Sequence, residues 1–91
     1  MTDVTRTLTE RGERYGRFTD QAAIAQDLKQ CLFEHVGRRW LDMDADQREA
    51  LEMILHKVAR IANGDPNWVD SWHDIAGYAT LVADRLEGIE R

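Results

Sequence analysis

Apolar residues return every three or four positions in three stretches of this chain. The first holds Ile24, Leu28, Cys31 and Leu32, with Val36 as an extension. The second holds Leu51, Ile54, Leu55, Val58, Ile61 and Ala62. The third runs through Trp72, Ile75, Ala76, Ala79, Val82, Ala83 and Leu86. That period lines one face of an α-helix, and it predicts helices near 20–35, 44–63 and 66–87. No alternating run marks a strand. The predicted fold class is therefore all-α, a small helical bundle with three main helices.

The polar residues between the stripes punctuate them. Thr19 or Asp20 can cap the first helix, and Gly37 ends it. Asp44 followed by Gln47 has the spacing of a capping box. Asn63 and Gly64 close the second helix, Gly64 as a left-handed cap, while Asp65 caps the third with Pro66 at its first position. So short a turn makes these two helices antiparallel. In the connection 38–43, Trp40, Leu41 and Met43 are expected to be buried. Residues 1–18 read as a polar N-terminal segment ahead of a single helical domain over 19–91. Val4, Leu8, Arg11 and Tyr15 allow a short helix there, which Gly12 and Gly16 weaken; the turn Tyr15–Phe18 then drops two aromatic rings onto the bundle.

Length changes this picture. A chain of 91 residues suits one domain, and one this small buries only about 60% of the surface its unfolded form exposes. Cys31 is alone, so no disulfide helps; it reads as a small core residue. Trp40, Trp68 and Trp72 are anchors for a further subunit. A homo-oligomer is expected, with the long helices of two chains pairing into four-helix modules. The net charge of −5 disfavours nucleic acid as a partner. No apolar run has the length of a membrane span. A single cysteine and no signal peptide point to the cytoplasm.

The candidate chemistry is acidic. Glu49 and Glu52 share a face of the second helix, and Asp70 and Asp74 share a face of the third. Like charges at this spacing repel, and the usual neutraliser of clustered carboxylates is a hard divalent cation such as Mg²⁺. Glu49, Glu52, Asp70 and Asp74 are thus the candidate metal ligands. The plainer reading pairs Asp74 with Lys57 or Arg60 and leaves Asp70 to complement a helix N-terminus. Antiparallel packing sets Arg60 and Asn63 near Asp70, His56 and Lys57 near Asp74, and Glu49 and Glu52 opposite Tyr78 and Leu81. Bringing all four carboxylates together then requires a helix offset or a second subunit. There is no Gly-rich phosphate loop, nucleophile elbow or zinc-spaced cysteine pair.

The stretches 46–54, 57–65 and 70–79, with Glu13 to Phe18 upstream, resemble a group of small phage and prophage proteins of uncharacterised function. More distantly they are similar to the all-α, MazG-like nucleoside triphosphate pyrophosphohydrolases. That resemblance implies a Mg²⁺ site built from a Glu-x-x-Glu motif on one helix and a Glu-x-x-Asp motif on the next. It also implies conversion of a nucleoside triphosphate to the monophosphate and pyrophosphate by a dimer or tetramer in the host-cell cytoplasm. Glu49 and Glu52 match the first motif and Asp74 the last aspartate, which makes these three the implied catalytic residues. Ser71 stands where the second glutamate is expected, with Asp70 one residue earlier. Lys57 and Arg60 are the cations expected on the phosphates, with Asn63 beside them. Trp72 or Tyr78, or a partner's tryptophan, is expected to stack on the base. The departure at Ser71 keeps two alternatives open: sequestration of nucleotides or cyclic nucleotide defence signals without turnover, and a protein-interaction module working through the tryptophans.

Overall fold

The computed structural model describes residues 3–91, which are all-α with no strand. Five helices follow in order: α1 (Asp3–Tyr15), α2 (Phe18–Val36), the single turn α3 (Arg39–Asp42), α4 (Ala45–Asn63) and α5 (Val69–Leu86). No helix among the described residues is long and apolar enough to cross a membrane.

The punctuation acts as read at α4, whose Asp44–Gln47 capping box is present, with the Asp44 N–H donating to Gln47 Oε1 at 2.9 Å. Gly37 takes a positive φ of 59° after α2, and its N–H donates to the Phe33 carbonyl. Elsewhere the ends shift. The α2 helix begins at Phe18, with Arg17 at the cap and neither Thr19 nor Asp20 capping it. Likewise α5 begins at Val69, not at Pro66. Asp65 folds its carboxylate onto the Asn67 N–H at 2.9 Å, an Asx turn that consumes the expected cap. Gly64 is not left-handed: its φ is −128°. It is glycine for space, because a Cβ there would collide with the Arg14 carbonyl and the Tyr15 Cα.

That collision marks where α1 docks. Within the segment before residue 18, α1 is helical from Asp3 to Tyr15 and runs through Gly12 without a break. The Asp65 N–H donates to the Arg14 carbonyl at 2.6 Å. Asn63 Nδ2 donates to the Tyr15 carbonyl at 2.9 Å and the Arg17 carbonyl at 3.1 Å. The Arg14 guanidinium lies 4.1 Å above the Trp68 ring, and that of Arg60 lies 4.4 Å above the Tyr15 ring. Of the two aromatics in this turn, Tyr15 is half-buried and Phe18 is 72% exposed.

The central helix is α4. It packs antiparallel against α5 on one side and against α2 on the other, and the two outer helices do not pack extensively on each other. The apolar side chains buried among the described residues are Ala25, Ala50 and Ala59. Larger residues of the stripes reach only partial burial. Leu41 is exposed, contrary to expectation, while Trp40 tilts against Phe33 with ring centroids 4.9 Å apart. Cys31 is exposed too, on the outer helix α2. The radius of gyration is 15.2 Å, where a compact chain of this length has about 12 Å. The bundle is open, a layer of helices rather than a closed globule.

Substituting Gly64→Ala is expected to dislodge α1 and leave the α2–α4–α5 layer folded. Trypsin should then cut at Arg14 and Arg17 much faster than in the wild type, with a helical loss no larger than the 13 residues of α1. Unchanged cleavage would mean the corner tolerates the methyl group.

Candidate functional site

On α4, Glu49, Glu52, His56 and Arg60 follow one another at three- and four-residue steps, and so occupy one side of the helix. Cations from two helices border this stripe. Lys29 on α2 reaches Glu52 at 3.9 Å, and Lys57, a buried residue of α4, reaches the half-exposed Asp74 carboxylate of α5 at 3.1 Å. The Lys57–Asp74 pair is the plainer of the two readings of Asp74.

His56 registers the resulting field. Partial burial pushes its pKa below 6.5, and the charges of Arg60, Lys57 and Lys29 push it further in the same direction. Three cations therefore act on one point of an acidic protein. Arg60 has no carboxylate partner among the described residues, and its Nε is buried without an acceptor. Arg60 also lines a cleft of about 550 Å³ between α1 and α2, together with Arg11, Tyr15, Arg17, Phe18 and Gln21. Gln21, 3% exposed, is the amide side chain of that lining.

The other sequence-based candidates are dispersed. Arg60 and Asn63 turn toward α1 rather than Asp70. Asp70 sits exposed in the first turn of α5. Glu49 faces Tyr78 and Leu81 as expected, in a second cleft with Asp46 and Arg85. There Arg85 clamps Asp46 at 2.6 Å and Asp44 at 2.9 Å, which holds the Asp46 carboxyl below its usual pKa. Trp72 is two residues from Asp74, about 200° around α5, and its indole donates to the Pro66 carbonyl at 2.9 Å. Ser71 is 2% exposed, turned into the helix layer. Among the described residues, no three His, Cys, Asp or Glu side chains come together as a metal-holding group. One chain thus offers paired carboxylates beside cations, but not a cage for an ion.

Sequence reasoning gave Lys57 and Arg60 but passed over Lys29, Gln21 and the role of His56. Lys29 and Gln21 lie on α2, and only the packing of α2 on α4 brings them here.

A family model described as a domain of unknown function, DUF6378, matches residues 1–86. No curated protein and no solved structure matches the chain.

His56 is expected to titrate below 6.5, and Arg60→Gln should raise its pKa toward that value. The sign for stability follows. An unfolded His56 takes up its proton near pH 6.5 and the folded one only at lower pH, so this residue costs stability progressively as pH falls between the two values and nothing above them. A ¹³C-histidine NMR titration of both proteins reads the shift; identical curves would remove Arg60 from the field at His56.

Proposed function

We propose that this chain, which belongs to the DUF6378 family, binds a nucleotide with Mg²⁺ on the His56 side of α4 and does so as a homo-oligomer. The observation that supports the reading is the grouping of cations along this side of α4: Lys29 reaches Glu52 at 3.9 Å, Lys57 reaches Asp74 at 3.1 Å, and Arg60 has no carboxylate partner among the described residues. These cations repel one another, and a polyphosphate relieves that repulsion with several negative charges at once. Lys57 gains most, because its ammonium group is largely withdrawn from water and has one half-exposed carboxylate for company. The cleft that Arg60 shares with Tyr15, Phe18 and Gln21 lies beside the phosphate position, and its volume is in the range of small-ligand sites. Its aromatic edge suits a base and the Gln21 amide a polar group on that base.

Mg²⁺ enters this reading with the phosphates. Glu49 and Glu52, one to two turns before His56, are the carboxylates that would face the ion. Hydrolysis to the monophosphate and pyrophosphate further requires Asp74 to leave Lys57. Binding without turnover is the version favoured by Ser71, since the residue in the place of the motif glutamate is small and turned into the helix layer.

Equilibrium dialysis against nucleoside mono-, di- and triphosphates, with and without Mg²⁺ and with mass spectrometry of the products, tests the proposal. Retention should rise with the number of phosphates. Arg60→Gln should weaken it at least about tenfold, a loss of about 1.4 kcal/mol, while Arg38→Gln leaves it unchanged. If no phosphorylated nucleoside is retained, or Arg60→Gln binds like the wild type, the site assignment fails. Intact nucleotide after incubation identifies a binding protein, and released pyrophosphate an enzyme.

A further inference from the structure

The helix layer has a second face, and it carries no charge. On α5 the residues Val69, Trp72, Ala76, Ala79, Ala83 and Leu86 follow at alternating steps of three and four, the spacing of a coiled-coil seam. All six are exposed, Trp72 to 53% and Leu86 to 60%. On α4, Leu51, Val58 and Ala62 form an exposed stripe of the same kind, with Leu55 half-buried among them.

Both stripes lie on one side of the layer. In an antiparallel pair of right-handed helices, the residue after a contact residue swings to the same side on both helices. Leu51 follows buried Ala50, and Val58 follows buried Lys57; Trp72 follows buried Ser71. On α5, Ala79, Ala83 and Leu86 follow Tyr78, Val82 and Arg85, which face α4 across the cleft with Asp46 and Glu49. Asp74 and the His56 stripe lie on the opposite side.

We infer that this uncharged face is a homodimer interface, in which α5 meets the α5 of a second copy antiparallel about a two-fold axis through Ala79. The amount of surface supports an absent partner. The chain exposes 6593 Å², roughly 1,200 Å² more than a compact monomer of its mass, and a standard interface takes about 800 Å² per partner. The order of residues along α5 identifies that partner as a second copy. Reversed about Ala79, the stripe reproduces itself within α5: Trp72 falls on Leu86, and Ala76 close to Ala83. A two-fold interface needs that self-complementarity. Small residues at the centre let the two helices approach closely, and the large residues at the ends pack beside them. The stripes of the two α4 helices then flank the crossing and complete a four-helix module. This extends the oligomeric part of the proposed function and rests on no property of the nucleotide site.

Sedimentation without nucleotide tests it, so its outcome is read separately from the dialysis experiment. The wild-type chain should sediment as a dimer at micromolar concentration. Ala79→Asp should sediment as a monomer with unchanged helicity, because the residue is exposed in the single chain. In a Cys31→Ser background, Ala79→Cys should form a disulfide-linked dimer on oxidation, since the two-fold axis brings residue 79 against itself, and Asp70→Cys should not. A wild-type monomer overturns the interface and leaves the face to a different protein. An Ala79→Asp dimer, or cross-linking through Asp70→Cys in preference to Ala79→Cys, overturns the placement of the axis.

Discussion

Ala25, Ala50 and Ala59 are the apolar side chains that the described chain buries, and their size governs the rest of the structure. A contact made by alanines draws helix axes to the short end of the usual 8–10 Å range. Ala59, with no exposed surface, sits on the central helix where a larger side chain would force its neighbours apart. The layer is therefore close-set but thin. Leu28, Leu32, Ile54, Ile61, Ile75 and Val82 are half-buried, so partial burial is the common state of the stripes.

The same close setting shapes the electrostatics. Charged side chains near the α4–α5 contact lose part of their hydration, so each needs an opposite charge within reach. At one end Arg85 gathers the two aspartates that open α4. Further along, Lys57 takes Asp74 alone. The first group carries more negative than positive charge. Around His56 the cations Lys29, Lys57 and Arg60 stand against Glu49, Glu52 and Asp74, and Arg60 is the one of them with no carboxylate of its own among the described residues. A chain with an overall charge of −5 thus holds a local region of balanced charge that its composition conceals.

Regular elements were the legible part of the sequence. Stripe period and the Asp44–Gln47 box located α2 and α4 to within two residues at each end, because local hydrogen bonding and one buried face decide them. At Asp65 the prediction failed because two uses of one side chain compete: a helix cap and an Asx turn are both local, and the docking of Arg14 on the Asp65 N–H accompanies the turn. Gly64 failed for a related reason, since its requirement comes from a chain segment fifty residues earlier. Stripe burial was overestimated for Trp72, Ala76, Ala79 and Leu86, where an apolar period shows that a face wants cover without showing what supplies it. For the site, pairs within one helix could be read directly, as could the Lys57–Asp74 contact across a short turn. Lys29 and Gln21 could not, because nothing in the spacing of α2 fixes its register on α4.

The corner at Gly64 also orders the molecule in time. Every named tie to α1 lies at its C-terminal end, in Arg14 and Tyr15, and the exposed side chains of Val4 and Leu8 add no anchor farther out. A helix held at one end opens from the other. Its early amides are released to solvent by fraying, while those of its last turn are released only when the Asn63 and Asp65 hydrogen bonds break. Amide hydrogen exchange along α1 is therefore expected to be graded, and the layer beneath to open as a separate, slower unit. Because Tyr15 and Arg60 are stacked across that corner, an opening there also frees the Arg60 guanidinium and changes the shape of the adjoining cleft.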